Sequence, residues 1–111
     1  IKRYIADYIA FIAADPNRAR LFEYLDNAPE VSLVDLAATF GGFVEYTRVL
    51  FTEAQEAGVV RDGRPYLLGS FVRGAIRHTI KRRRLDPSPI EDGEYAWIAE
   101  MCWRGIAAQP A

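Results

Sequence analysis

Apolar residues recur every three or four positions along most of this chain, the spacing of one face of an α-helix. The first such segment runs from about Ile1 to Ala14. Asp15 and Pro16 then fit a helix cap followed by proline at the first helical position. The second segment, NRARLFEYLDNA, stops near Pro29. No segment alternates apolar and polar residues as a strand does, so the pattern predicts an all-α fold.

Two longer helices are predicted in the middle of the chain. Ser32 is a suitable N-cap for the third helix, and Gly58 follows its last apolar residues, where a glycine commonly ends a helix. Pro65 opens the fourth helix, which ends before the turn-forming sequence at residues 86–89.

The fifth predicted helix begins near Glu91 or Asp92 and ends by Pro110. Its apolar residues do not keep to one stripe. Trp97 and Trp103 are six positions apart, so they point about 120° away from each other on a helix. A surface helix of a monomer needs one apolar stripe of about 100°. Part of this helix is therefore predicted to pack against something other than the first three helices.

The fourth helix carries the same excess of apolar surface beside small residues that permit close helix packing. The last two helices are therefore predicted to pack one face on the first three helices and the other on a second copy, as a four-helix bundle. The alternative is a monomer in which both are central helices. The predicted dimer interface comprises Ser70, Arg73, Gly74, Arg77, Trp97, Met101, Arg104 and Gly105.

Size and composition predict one globular domain over residues 1–111. The 111-residue chain is 50% hydrophobic and 26% charged, and its net charge of −1 does not favour nucleic-acid binding over the whole surface. No apolar run approaches the length of about 18 residues that spans a membrane, and no signal peptide is recognisable. The single cysteine, Cys102, fits a reducing compartment, so we expect a cytoplasmic protein. Because the first helix starts in mid-pattern at Ile1, we expect a piece of a longer protein.

The reactive side chains are too few to predict an enzyme, a metal site or a cofactor. His78 is the only histidine and Cys102 the only thiol, whereas metal and nucleophile sites usually need more ligands or a paired base. The basic run KRRR at residues 81–84 could bind phosphate. It also lies at the C-terminal end of a helix, where cations interact favourably with the negative end of the helix dipole. We expect a solvated helix end there.

Aromatic residues are plentiful on several helices, and bulky rings could line an apolar cavity whose few hydroxyl groups orient a ligand. Tyr8, Tyr46 and Thr47 could supply those polar contacts. Arg73 and Arg77 could reach an acidic ligand if they point inward, although the dimer interface or solvent is favoured for both. Core packing remains the alternative for each ring taken singly.

Three stretches in this order resemble TetR-family transcriptional regulators. FIAADPNRARLFEYL resembles a helix, an Asp-Pro break and the following helix of that family. FTEAQEAGVVRDGRPYLLGSFVRGAI resembles its long helix, the connector and the next helix entered through proline. WIAEMCWRGIA resembles the closing helix. The resemblance covers nearly the whole chain and implies an effector-binding and dimerisation domain.

That resemblance implies a repressor that controls operator DNA through an N-terminal helix-turn-helix domain, which we do not expect within residues 1–111. It also implies a homodimer and a small hydrophobic effector held between the first, third and fourth helices. The alternative is a stand-alone helical interaction module without a small-molecule site. The positions that the resemblance assigns to the effector are Tyr8, Phe11, Phe43, Tyr46, Thr47, Leu50 and Phe71.

Overall fold

The computed structural model describes residues 1–27 and 32–109, except for the side chains of residues 26, 27, 33, 36, 37 and 40. The described chain confirms the all-α prediction, and its only β-type pairing is an isolated antiparallel bridge between Val60 and Ala107. Across the described ranges, every helix is too short or too polar to cross a membrane. The five helices are α1 (Lys2–Ala14), α2 (Pro16–Asn27), α3 (Leu33–Glu56), α4 (Pro65–Leu85) and α5 (Glu94–Ile106).

Most helix ends follow the local chemistry that the sequence offers. The Ser32 hydroxyl accepts a hydrogen bond from the Asp35 backbone N–H at 3.1 Å, which confirms the predicted cap of α3. Gly58 has φ +77°, a left-handed conformation that glycine adopts readily, and it follows the end of α3 as predicted. Pro65 is the first residue of α4.

The start of α5 was predicted too early. The helix begins at Glu94 rather than near Glu91 or Asp92. Gly93 has φ +89°, so the backbone turns through a left-handed residue just before the helix and α5 can propagate only beyond it. The end predicted for the second helix, near Pro29, lies outside the described residues.

The central element is α4, which packs against each of the other four helices. Over its described residues, the backbone of α3 packs against α4 alone. The core consists mainly of apolar residues spaced about one turn apart on four of the helices, so that each of these four buries a single row. These residues are Ile5, Ile9 and Ile12 of α1, Phe51 and Ala54 of α3, Val72, Ile76 and Ile80 of α4, and Ile98, Cys102 and Ile106 of α5, to which α2 adds Ala19 and the connector after α3 adds Val60.

The molecule is a flat slab of 42 × 40 × 17 Å with a radius of gyration of 15.0 Å. A compact domain of this length would have a radius of gyration of about 13 Å. Packed helices have axes about 8–10 Å apart, so the thin dimension holds no more than two layers of helices. The described helices therefore form no third layer over either broad face.

The connector between α3 and α4 is tied to the end of α5. The Arg61 N–H donates to the Ile106 carbonyl at 2.9 Å, and the Ala108 N–H donates to the Val59 carbonyl at 3.1 Å. The first bond provides a partner for a carbonyl in the last turn of α5, which has none within the helix. The two bonds also fix the C-terminal end of α5 beside the start of α4.

The basic run at the end of α4 is more than the solvated helix end that its sequence predicts. Lys81 pairs with Glu23 of α2 at 2.8 Å, and this hydrogen-bonded ion pair lowers the pKa of the Glu23 carboxyl. Arg83 pairs with Glu94 of α5 at 3.0 Å. Arg84 Nη2 donates to two carbonyl oxygens in the last turn of α1, at 3.0 and 2.9 Å. Three of the four cations therefore join α4 to three different helices.

We expect Arg84→Met to lower the free energy of unfolding by about 1–2 kcal/mol, because it removes charge-assisted hydrogen bonds to the carbonyls of Ile12 and Ala13. Arg82 is exposed, so Arg82→Met should change that energy by no more than about 0.5 kcal/mol. Urea unfolding followed by circular dichroism compares the two variants. Equal losses of stability would contradict a specific role for Arg84.

Candidate functional site

Large apolar side chains remain exposed on adjacent surfaces of α4 and α5. Trp97 is 65% exposed, Phe71 54% and Met101 45%. Isolated exposed apolar residues are ordinary, but several on one continuous surface indicate an interaction site. We call this surface the outer face; it comprises Leu67, Phe71 and Gly74 of α4 and Trp97, Met101 and Gly105 of α5.

The two helices of the outer face are joined by the ring of Phe71. A Cβ atom placed on Gly105 would lie only 3.0 Å from Phe71 Cε1, so the glycine is what allows the ring to cross from α4 to α5. Beside this crossing is a shallow groove of about 170 Å³. Burial raises the pKa of the Cys102 thiol at its base. The groove is lined by Phe71, Ala75, Thr79, Ile98, Met101 and Cys102.

Six of the eight residues predicted for the dimer interface lie on the outer face or beside it. A Cβ atom on Gly74 would meet nothing within 4 Å, so the helix surface there is open to a close neighbour. Arg104 pairs with Glu100 at 2.7 Å at the edge of the face, and Ser70 is half-buried next to it. The other members on this surface are Gly74, Trp97, Met101 and Gly105.

In the structure of the single chain, the guanidinium groups of the other two predicted interface residues, Arg73 and Arg77, lie near rings of α3 and α2. Arg73 follows Phe71 by two residues, which is about 200° around a helix. Its guanidinium lies 5.6 Å from the ring centre of Phe43 on α3. The guanidinium of Arg77, one turn later, lies 5.8 Å from the ring centre of Phe22 on α2.

Both α1 and α3 pack against α4, and the ring of Tyr4 spans the space between them. It stacks on Phe43 with ring centres 6.4 Å apart and meets Phe51 edge-on at 5.8 Å. We use the name aromatic groove for this cluster of contacting side chains, whose most exposed member is Phe43. It comprises Tyr4 of α1, Phe43 and Thr47 of α3, and Gly69 and Arg73 of α4.

A chain of hydrogen bonds crosses the aromatic groove. Thr47 is 3% exposed, and its hydroxyl donates to the Phe43 carbonyl at 3.0 Å. Because that bond uses the only proton of the Thr47 hydroxyl, Tyr4 must be the donor in the longer 3.4 Å contact between the two hydroxyls. Arg73 Nη1 in turn donates to the Tyr4 hydroxyl at 3.1 Å. The donors thus run in one direction, from Arg73 to the backbone of α3.

Gly69 allows this arrangement. A Cβ atom at Gly69 would lie 2.9 Å from Arg73 Nη1 and 3.0 Å from Thr47 Cγ2, closer than such atoms normally approach. The missing side chain leaves room for the guanidinium to fold back along α4 toward Tyr4. Gly69 therefore leaves room for Arg73 in this position.

The structure brings only two of the seven predicted ligand residues, Phe43 and Thr47, into the aromatic groove. Tyr8 and Phe11 stack on each other along α1 with ring centres 6.4 Å apart. Phe11 also contacts the ring of Phe22, at 6.3 Å, so this pair belongs to the packing of α1 on α2.

The other three predicted ligand residues lie on separate surfaces. Tyr46 is exposed on α3, and Phe71 belongs to the outer face. Leu50 lines an open cleft of about 530 Å³ near the start of α1. The remaining residues around that cleft are Ile1, Lys2, Arg3, Glu53, Ala54, Val59 and Trp103.

Sequence reasoning missed Tyr4 and Gly69 as members of the site. Helical spacing contained a signal for both. Tyr4 precedes Tyr8 by four residues and Gly69 precedes Arg73 by four, so each lies one turn from a residue that was considered for a ligand.

Comparisons of the chain with protein-family models, curated proteins and solved structures found no match.

Proposed function

We propose that this chain is the effector-binding and dimerisation domain of a TetR-like transcriptional regulator that acts as a repressor. The main support for the proposal is the outer face, where α4 and α5 together expose Phe71, Trp97 and Met101. A second copy would bury this surface against itself about a two-fold axis and complete a four-helix bundle. The apolar excess predicted from the sequence of both helices supports the same arrangement.

The aromatic groove supports the effector-binding part of the proposal. It lies between α1, α3 and α4, the same helices to which the family resemblance assigns an effector. Rings of Tyr4 and Phe43 provide apolar contact, while Thr47 and Arg73 provide polar groups for orientation. An effector bound there would contact α4, which also carries half of the outer face.

Regulation would follow from a shift between dimer geometries. Two DNA-reading helices must lie about 34 Å apart to enter successive major grooves. An effector that binds more tightly to a dimer with another spacing would weaken DNA binding. The loss of DNA-binding free energy could be no larger than the difference between the effector's binding free energies for the two geometries. Operator DNA would be contacted by an N-terminal helix-turn-helix domain and not by residues 1–111.

The coding sequence that precedes residue 1 in the gene tests this assignment. We expect it to encode, in the same reading frame, a helix-turn-helix domain of three short helices with basic residues on the last. An open reading frame without such a domain would overturn the regulator proposal.

A second candidate is a stand-alone helical interaction module that pairs through the outer face and binds no small molecule. The observation that favours it is the distribution of the seven predicted ligand residues over several surfaces. Both candidates predict a homodimer, so the gene sequence and ligand binding distinguish them.

A further inference from the structure

We infer that the aromatic groove binds the carboxylate of a small aromatic acid through the guanidinium of Arg73. The inference rests on the proposed effector-binding function and names the chemical class of the effector. It starts from the charge of Arg73, the polar chain through Tyr4 and Thr47, and the partly exposed ring of Phe43.

Arg73 is a half-buried cation without an anionic partner among the described residues. Lys81 and Arg83 also come from α4, and each pairs with a glutamate, whereas the one hydrogen bond of Arg73 goes to the neutral hydroxyl of Tyr4. Removing a cation from water is unfavourable unless a counter-charge or several hydrogen bonds replace the water. A carboxylate in the groove would supply both.

The guanidinium is also held ready for such a ligand. Gly69 gives it room and Tyr4 fixes one of its nitrogens, which reduces the entropy lost on binding. A guanidinium has five N–H donors in a planar fork that suits the two oxygens of a carboxylate. Arg73 uses one donor within the described structure, so enough remain for a two-point contact.

The neighbouring rings favour an aromatic acid. Phe43 is 42% exposed, and its ring lies near both the guanidinium of Arg73 and the ring of Tyr4. An aryl group stacked on the exposed part of Phe43 would bury apolar surface while its carboxylate reaches Arg73. The single positive charge of Arg73 matches a monocarboxylate better than a phosphate dianion.

Isothermal titration with acid–amide pairs tests the inference. The probes are phenylacetate, cinnamate and 1-naphthoate, each compared with its neutral primary amide, which has nearly the same shape. We expect at least one acid to bind about tenfold or more tightly than its amide, because a charge-assisted pair is worth more than a neutral hydrogen bond. In NMR spectra, the resonance of the Arg73 side-chain N–H should shift when the acid binds.

Two variants and a matched control locate the binding site. Arg73→Met should weaken binding of the acid by about tenfold or more, whereas Arg82→Met removes an exposed arginine from the same helix and should leave binding unchanged. Gly69→Ala keeps the charge but displaces the guanidinium, so it should also weaken binding. Circular dichroism checks that each variant is folded. If Arg73→Met does not fold, Gly69→Ala provides the test of the binding site.

Each alternative result has a definite meaning. Equal binding of acids and amides, unaffected by Arg73→Met or Gly69→Ala, would overturn the acid inference and leave a hydrophobic effector possible under the proposed function. No binding of any acid at millimolar concentration would overturn it as well. Dimerisation, measured separately, decides the other part of the proposed function in either case.

Discussion

Replacing Trp97 with glutamate is expected to raise the dissociation constant of the homodimer by about 30- to 1,000-fold. Among the large apolar side chains of α5, that of Trp97 is the most exposed, at 65%. A buried tryptophan at an interface typically contributes about 2–4 kcal/mol, and each 1.4 kcal/mol corresponds to a factor of ten. Glutamate also places a charge where the dimer would bury it without an oppositely charged partner, which is unfavourable.

The monomer itself should tolerate this change. Trp97 makes no part of the buried core, and glutamate is a good helix former, so helical content should be unchanged. Leu21→Glu on α2 is the matched control, because Leu21 is a comparably exposed apolar residue on a helix whose described residues do not pack against α5. Sedimentation velocity compares the two variants with the wild type. An equal effect of both changes, or none of either, would argue against the outer face as the interface.

Phe51→Ala is expected to lower the free energy of unfolding by about 3–5 kcal/mol, the usual cost of removing a fully buried phenylalanine. Phe51 is 0% exposed and meets the ring of Tyr4 edge-on. Because α3 packs its described backbone against α4 alone, few other contacts can compensate. A loss of this size is a large fraction of the stability of an ordinary domain.

Urea unfolding at one fixed protein concentration measures this effect, since the stability of a dimer depends on concentration. Tyr46→Ala is the matched control, because it removes an exposed ring from the same helix. It should cost no more than about 1 kcal/mol. Similar losses for Phe51→Ala and Tyr46→Ala would show that Phe51 does not anchor α3.

Helix positions were predictable where the local sequence determines them. Ser32 carries its own hydrogen-bonding cap and Pro65 has a φ angle suited to the start of a helix, so neither depends on distant residues. The start of α5 was missed because two acids and a glycine offered competing signals. The left-handed conformation of Gly93 decided the outcome in favour of the later start.

The aromatic groove was harder to predict than the helices. Spacing places Arg73 about 200° from Phe71 around α4, but it does not say which side meets α1 and α3. That choice depends on packing between helices, and the interface was therefore favoured for Arg73. The cations of the KRRR run were misjudged for the same reason, because Glu23 and Glu94 are distant in sequence from their partners.

Sedimentation velocity of the wild-type chain across a concentration series shows whether the outer face pairs with a second copy. We expect a species of twice the 12.5 kDa chain mass at micromolar concentration, which dissociates only on dilution. A single species of 12.5 kDa that persists at the highest concentration would contradict this expectation, because the outer face would then have no second copy against it.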